Sequence, residues 1–297
     1  MIETYQKREH GGVSWYASPL LSSLSDEVPI RHGFSTRRGG VSREEHLAEM
    51  NLGFFRGEER SLTERNYELF AKALGICPES LVFANQTHTH TVAEVGSAHR
   101  GVGVTKPPVY FPGVPAGDPA NEVDALVTAE PNVALGVRIA DCVPILFCDP
   151  KARVIGAAHA GWRGTLAQIA VLTLYQMEAL GARAENVRCA IGPYIGSCCY
   201  EVDRTFYERF LFGVGSDICE KAFTDTQSEH PRCDLGTVNE ELLTFAGVLP
   251  EHISRTDLCT CCHPDLFHSH RATGGKRGTN GAVIALCENA ASIFEVS

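Results

Sequence analysis

The segment VIGAAHAGWRGT, residues 154–165, constrains the fold of this chain more than any other stretch. Its small and apolar first residues predict a strand that ends near His159. A glycine-containing turn follows, and the apolar residues after it predict the longest helix of the chain, beginning near Gly164. The segment therefore places an imidazole and the Arg163 guanidinium where a strand becomes a helix, which suits an anion or a metal ion.

Strand-like and helix-like patterns follow one another irregularly along the rest of the chain. We predict helices over residues 61–75, 203–211 and 238–248, and strands at the start of 30–42, over 81–95, and within DALVTAE, VALGVRIADCVPILFCDP, ARVIGAAHA, NVRCAIGPYIGSCCYEV, SRTDLCTCC and GAVIALCE. Because strands and helices do not alternate regularly, the pattern favours an α+β fold over a doubly wound sheet. Residues 101–121 are rich in proline and glycine, and we expect an exposed loop there, a candidate lid.

Composition narrows the classes of function. The 297 residues suit a single domain over 1–297, and the net charge of -10 with no long lysine/arginine run argues against nucleic-acid binding. No apolar run reaches the roughly 18 residues of a membrane span, and the N-terminus lacks a signal-peptide core, so we predict a cytoplasmic protein. The 12 cysteines are about 4% of the chain, too few for a disulfide scaffold, and we interpret most of them as reduced.

Three short motifs hold residues suited to a metal site. NQTHTH places His88 and His90 on one face of a predicted strand, ADCVPILF places Asp141 and Cys142 at the head of another, and GAAHAGWRG places His159 at the tail of a third. Imidazoles and a thiolate can hold zinc and leave one coordination position open. On spacing alone, the interpretation of each residue as a packed cysteine or a hydrogen-bonded core histidine is favoured.

Arginines near glycine-rich turns are candidate anion-binding residues. Arg163 precedes a predicted helix, whose first N–H groups and positive dipole end favour anions. The alternative is that Arg163 stacks on Trp162. Arg37 and Arg38, in the turn RRGGVS, either contact a substrate anion or belong to an ordinary solvated loop.

A second cluster of potential ligands lies in TDLCTCCHPDLFHSHR, with Cys259, Cys261, Cys262 and His263. A Cys-x-x-Cys pair followed by histidine can bind a metal or act as a redox pair. Because no second Cys-x-x-Cys pair completes a structural zinc site, the sequence favours packing around the neighbouring site.

Together these segments resemble the YfiH/YlmD family, also called the laccase-domain or multicopper polyphenol oxidoreductase family. The similarity extends from about residue 31 to residue 284, and HAGWRGT and IGPYIGSCCYEV are its most specific pieces. TRRGGVS, NLG, ERN, NQTH, VDALVT, ADCVPILF and LCTCCHPDLFHSHR add to it. The resemblance implies a four-layer α/β/β/α sandwich with mixed sheets, distantly similar to the deamidase domain of the cytotoxic necrotizing factors.

The family pattern also implies roles for particular residues. It implies that His88, Cys142 and His159 bind a metal ion, zinc or alternatively copper, and it leaves His90 without a role. Arg163, Arg37 and Arg38 become candidate phosphate-binding residues by the same comparison. The chain departs from the family where a TGR-type turn is usual, because it has GGKRGTNGAVI and the basic residue there is Lys276 or Arg277.

Three activities are associated with this family. The one we favour is a zinc-dependent purine nucleoside activity, namely phosphorolysis of adenosine, inosine and methylthioadenosine and deamination of adenosine, with nucleoside and phosphate as partners. The others are copper-dependent polyphenol oxidation and hydrolytic editing of a peptidoglycan precursor. A laccase binds several copper ions through many histidine ligands. This chain offers the His-x-His pair His88 and His90 in a site with three metal ligands.

Two further classes of function use the same residues differently. In a Cys–His hydrolase, Cys142 would be the nucleophile and His159 its base, with no metal between them. A non-catalytic binding module would explain an anion pocket but has no use for the thiol. For the purine reaction, Asp141 and Asp124 are candidate acid/base groups, or they only orient their neighbours. The sequence carries no signal for an oligomeric state.

Overall fold

The computed structural model describes residues 2–54, 56–106 and 122–288, and these residues form 14 strands and eight α-helices. The strands are β1 (Gln6–His10), β2 (Val13–Ala17), β3 (Ile30–Ser35), β4 (Leu81–Phe83), β5 (Val92–Glu94), β6 (Ala125–Thr128), β7 (Ala134–Ile139), β8 (Val143–Asp149), β9 (Val154–Ala160), β10 (Arg188–Ile191), β11 (Phe223–Thr224), β12 (Arg232–Cys233), β13 (Ile253–Arg255) and β14 (Asn280–Leu286). The helices are α1 (Pro19–Ser22), α2 (Arg60–Ala73), α3 (Trp162–Leu166), α4 (Ile169–Ala179), α5 (Arg204–Val214), α6 (Ser216–Ala222), α7 (Leu235–Phe245) and α8 (His270–Thr273).

Two mixed six-stranded sheets organise these elements, as the α+β prediction requires. The first sheet has the order β1-β2-β3-β14-β7-β4, and only its β7–β4 pair is parallel. The second has the order β13-β10-β8-β9-β6-β5, with parallel pairs at its two edges. β11 and β12 form a separate two-stranded ribbon.

Alternating side chains of the strands divide the core into three hydrophobic clusters. Along β8, Ile145 and Phe147 pack with the side chains of α4 and α7, whereas Leu146 packs with residues of the first sheet such as Leu135 and Ile284. The other face of the first sheet packs against α2 through residues such as Phe70. Apart from the exposed edge strand β1, both sheets therefore bury side chains on two faces, because side chains alternate along a strand.

The β8–β9 hairpin positions the residues of interest. Its antiparallel register pairs Val143 with Ala160 and Pro144 with His159. Cys142, which directly precedes β8, therefore lies at the same end of the hairpin as His159. The sequence predicted both positions correctly.

Two predictions of secondary structure were wrong in part. Residues 81–95 are not one strand, because β4 and β5 belong to different sheets and the NQTHTH segment crosses between them. The predicted long helix is interrupted at Gln168, which has a φ of 61°, so α3 and α4 are separate and the 14-residue α2 is longer. Most of the predicted lid, residues 107–121, lies outside the described residues. None of the helices in the described ranges combines the length and the apolar character needed to cross a bilayer.

Candidate active site

Three side chains that are distant in sequence converge beside the β8–β9 hairpin. One donor atom from each of His88, Cys142 and His159 lies within 4.8 Å of the other two. The Sγ atom of Cys142 is 3.8 Å from Nε2 of His88, and the two imidazole rings are 5.0 Å apart between centroids. The convergence predicted for these residues is therefore present in the structure.

Asp124 accepts hydrogen bonds from both histidines of the site. Its fully buried carboxylate accepts a hydrogen bond of 2.6 Å from Nδ1 of His159. It also accepts the backbone N–H groups of Thr87, His88 and Thr89, and the Thr89 hydroxyl, at 2.8–3.1 Å. These bonds stabilise a turn in which His88 has a φ of 67°, a conformation rare for residues other than glycine. His88 and His90 therefore do not share a strand face as predicted, and the exposed His90 lies outside the cluster.

The pKa values of Cys142 and His159 are shifted toward an ion pair. Burial raises the pKa of the Cys142 thiol, but its interactions with His159 and, to a lesser extent, with His88 outweigh burial and bring it down to about 6. Burial lowers the pKa of His159, and the Cys142 thiolate and the Asp124 carboxylate together raise it to about 10. Burial likewise opposes ionisation of Asp124, yet its bonds to His159 and Thr89 leave its pKa lowered. The pair therefore provides a thiolate at neutral pH.

Gly161 leaves the space in which these side chains meet. A Cβ atom at this position would lie 2.8 Å from Cδ2 of His88 and 3.1 Å from Sγ of Cys142. Any larger residue would displace one of the two donor groups. The glycine of the HAGWRG motif is therefore explained by the site itself.

The three donors open into a cavity of about 720 Å³. Among the described residues, five arginines and one lysine line it, against a single carboxylate from Asp141, so this part of the lining is cationic in a chain of net charge -10. The lining residues with a positive charge are Arg56, Arg60, Lys106, Arg138, Arg271 and Arg277. Trp162, Phe54 and Tyr200 contribute flat aromatic surface.

Arg277 has an unusual position among these cations. Its Nη1 atom donates to the Gly278 carbonyl and the Thr279 hydroxyl, but its Nε atom is buried and has no hydrogen-bond partner within the described residues. Burial and the charge of Arg56 lower its pKa to about 10. A buried donor without a partner is costly, so this guanidinium favours an anion in the cavity. Lys276, the other candidate in this turn, is exposed and does not line the cavity.

The arginines singled out from the sequence lie elsewhere. Arg37 donates to the carbonyl oxygens of Ala48, Glu45 and Pro264, and Arg38 lies 3.8 Å from Glu49. Neither lines the cavity. In the described part of the chain, backbone carbonyls engage the Arg37 side chain and a carboxylate lies near that of Arg38, and phosphate binding by these two residues stays a prediction.

Arg163 contacts the cavity only indirectly. It is exposed, and its guanidinium carbon lies 4.3 Å from the centroid of the Trp162 ring. Trp162, not Arg163, lines the cavity. The stacking alternative raised from the sequence is therefore the contact that the structure contains.

Asp141 lines the cavity but is held on both oxygens. It accepts a 2.6 Å hydrogen bond from the Thr260 hydroxyl and a 2.7 Å bond from the backbone N–H of Arg271. Its φ of 85° marks a sharp turn directly before Cys142. Asp141 thus fixes the turn that presents the thiol.

Comparison with known proteins identifies the family. A family described as multi-copper polyphenol oxidoreductase laccase matches residues 31–287, most of the chain. The chain belongs to this laccase-domain family. The resemblance seen in HAGWRGT and IGPYIGSCCYEV is thereby confirmed.

Relatives within the laccase-domain family carry purine-related names. The purine nucleoside phosphorylase YlmD of Bacillus subtilis strain 168 is 34% identical over 258 residues, covering 86% of this chain and 88% of that protein. Adenosine deaminase RL5, from an unknown prokaryotic organism, is 30% identical over 248 residues, covering 82% and 90%. The crystal structure of the Bacillus licheniformis hypothetical protein YfiH is 30% identical with a TM-score of 0.81, and covers 94% of this chain and 98% of that one.

The donor set of this laccase-domain protein fits a metal ion. His159 donates Nδ1–H to Asp124, so its Nε2 atom can form a ligand bond once a metal ion displaces the Nε2 proton, an arrangement typical of metal-binding histidines. Two imidazoles and one thiolate suit zinc, and the side facing the cavity stays open for water or substrate.

Proposed function

We propose that this protein is a metal-dependent purine nucleoside enzyme that performs phosphorolysis of adenosine, inosine and methylthioadenosine and deamination of adenosine. The observation that carries the proposal is that His88, Cys142 and His159 line the same cationic cavity as the Arg277 guanidinium. A volume of about 720 Å³ is of the size that accommodates a small-molecule ligand. The names of the relatives, purine nucleoside phosphorylase and adenosine deaminase, support purine nucleosides as the substrate class.

The metal we propose at this site is zinc, with copper as the alternative. When bound, zinc would act as a Lewis acid toward a substrate atom and would lower the pKa of a water molecule. Asp124 keeps His159 in the tautomer that can bind it. Gly161 leaves the necessary room.

We propose that Arg277 binds the phosphate, assisted by Arg56. In phosphorolysis a phosphate oxygen forms a bond to C1′ of the ribose as the bond from C1′ to the purine nitrogen breaks, and the purine takes up a proton. A guanidinium beside the phosphate orients the attacking oxygen and stabilises its charge. Aromatic surface from Trp162 and Phe54 offers a stacking face for the purine.

Asp141 and Arg163 receive more limited roles. Because both oxygens of Asp141 accept hydrogen bonds, we assign it the positioning of Cys142 and retain proton transfer at the purine as a second proposal. Arg163 would act on the purine through Trp162, or on phosphate directly as the sequence predicts. Arg163→Ala distinguishes these, since the first raises the KM for nucleoside and the second the KM for phosphate.

The direct test is incubation of the purified protein with adenosine, with and without phosphate, resolving adenine, inosine and hypoxanthine. We expect adenine only when phosphate is present, and inosine in both reactions. Cys142→Ala should abolish both products while the protein stays folded. Adenine formed equally without phosphate would contradict phosphorolysis.

A Cys–His hydrolase acting on a peptidoglycan precursor is the second candidate. Cys142, His159 and Asp124 form a nucleophile, base and orienting carboxylate, and the lowered pKa of Cys142 favours it. Metal analysis separates the candidates, because a zinc ion bound by Cys142 and His159 would exclude free nucleophilic thiolate. No comparable observation supports copper-dependent polyphenol oxidation, because His90 lies outside both groups of potential metal ligands among the described residues.

We further propose that residues 1–297 act as one catalytic unit, because the cavity is lined from both sheets. Arg138 belongs to β7 in the first sheet, and His159 belongs to β9 in the second. The three hydrophobic clusters support the four-layer α/β/β/α description and agree with the sandwich implied by the sequence.

A further inference from the structure

A second group of donors follows β10 and β13, at the same end of the second sheet as Cys142. The parallel strands β10 and β13 end side by side, with Ile191 paired to Arg255. The segments that follow both strands therefore leave the sheet together, and a further bridge pairs Tyr194 with Cys259. This brings residues near 198 beside residues near 260, although more than 60 positions separate them.

Four cysteines meet where these segments run together. The sulfur atoms of Cys198, Cys199, Cys259 and Cys262 all lie within 4.8 Å of one another. Sγ of Cys262 is 3.5 Å from that of Cys198 and 3.4 Å from that of Cys199. A tetrahedral ion with zinc–sulfur bonds of ~2.3 Å places its sulfurs about 3.8 Å apart, which is close to these separations.

The surroundings of the sulfurs also fit thiolate ligands. The backbone N–H of Gly196 donates to Sγ of Cys259 at 3.2 Å, a bond that stabilises a negatively charged sulfur. Arg271 donates to the Cys199 carbonyl at 3.0 Å, and Arg232 donates to the Cys198 carbonyl. Both guanidinium groups place positive charge on the segment that carries two of the sulfurs.

We propose that Cys198, Cys199, Cys259 and Cys262 bind a second zinc ion with a structural role. On binding, the four thiols lose their protons to solvent and form four zinc–sulfur bonds, which leaves a site of net charge -2 beside the two arginines. No redox step is involved. The inference is independent of the nucleoside reaction and of the metal at His88.

The position of the cluster explains what such an ion would stabilise. Tyr200 and Arg271 line the cavity, and Arg271 connects the Cys199 carbonyl to Asp141. Thr260, between two of the cysteines, donates to the same Asp141 carboxylate. A zinc ion at the cluster would therefore fix the wall of the cavity and, through Asp141, the turn that presents Cys142.

The test is the zinc content of wild-type protein and matched variants, measured by elemental analysis after purification without chelators. Cys142→Ala leaves only the cysteine cluster, and we expect it to retain about one zinc per chain. Cys262→Ser should lose that ion, whereas Cys261→Ser, at a neighbouring cysteine outside the group, should match wild type. If the site at His88 holds no metal, Cys142→Ala will match wild type and Cys262→Ser will contain none.

Cobalt and alkylation give independent readouts. Cobalt added to metal-free Cys142→Ala protein should show the intense thiolate-to-metal absorption of a tetrahedral site. In wild type, the exposed Cys198 and Cys262 should be alkylated slowly until a chelator is added. The proposal is overturned if Cys262→Ser keeps the wild-type zinc content. If Cys262→Ser does not fold, the same result for Cys198→Ser overturns it. It is also overturned by a disulfide within the group in anaerobically purified protein, or by alkylation rates that a chelator leaves unchanged.

Discussion

Replacing Asp124 by asparagine tests how the candidate site is held together. The carboxylate accepts five hydrogen bonds, two on Oδ1 from His88 N–H and His159 Nδ1–H, and three on Oδ2 from Thr87 and Thr89. An amide has one accepting oxygen, and the three donors at Oδ2 will orient it there. The NH₂ group then faces the N–H groups of both histidines.

The cost follows from the two bonds that are lost. Hydrogen bonds to a buried charged group contribute about 1.5–3 kcal/mol each, so we expect Asp124→Asn to lower the free energy of unfolding by about 3–6 kcal/mol. An NH₂ group facing Nδ1 also favours the tautomer of His159 with its proton on Nε2, and that nitrogen then has no lone pair for the metal. Loss of such a supporting contact lowers metal affinity by about 10–100-fold.

The assays are urea unfolding, adenosine phosphorolysis, and zinc competition with a chromophoric chelator, the last in proteins that also carry Cys262→Ser so that only the site at His88 is left to bind zinc. Asp149→Asn is the matched control, because Asp149 is also fully buried and accepts the backbone N–H groups of Lys151, Ala152 and Arg183 far from the cavity. The control should lose stability and keep its zinc affinity. Wild-type zinc affinity in folded Asp124→Asn would refute the reasoning.

Three further predictions concern the cavity and the buried histidines. Arg277→Gln should raise the KM for phosphate about 10-fold or more with little change for nucleoside, because it removes a charged hydrogen-bond donor, while Lys276→Gln should match wild type in steady-state kinetics. In protein that also carries Cys262→Ser, so that only the site at His88 is left to bind metal, Gly161→Ala should abolish metal binding in titration calorimetry, since its Cβ would lie 2.8 Å from the His88 ring; tight binding in that protein would contradict the geometry. Burial lowers the pKa of His32 and of His268 to about 3. Below about pH 6.5 these histidines are therefore protonated in the unfolded chain but neutral in the folded chain. Urea unfolding should therefore show stability falling by up to about 1.4 kcal/mol per pH unit for each histidine as the pH drops from 6.5 toward 3, and His32→Gln should reduce that slope; an unchanged slope would count against it.

Local patterns predicted the parts of the site that local structure determines. The helix α2 follows from its spacing of apolar residues, and Cys142 and His159 follow from their positions at the ends of two apolar strands. Adjacent antiparallel strands then bring those two ends together. The pairing needs no information from distant parts of the chain.

Contacts between distant segments were harder to predict. The turn at His88 depends on a carboxylate 36 residues away, so alternation along NQTHTH suggested a strand instead. The Cys-x-x-Cys pattern at Cys259 found no second such pair, because its partners are the adjacent Cys198 and Cys199. The role of Arg277 depends on which basic residue of its turn points into the cavity. Residue spacing alone carries none of this information.

The most direct test of the central claim is anomalous diffraction at the zinc absorption edge from crystals of protein purified without added chelator. The account predicts an anomalous peak within bonding distance of His88, Cys142 and His159. Good electron density for these three side chains with no peak between them, and the Cys142 sulfur in direct contact with the His159 ring, would contradict it.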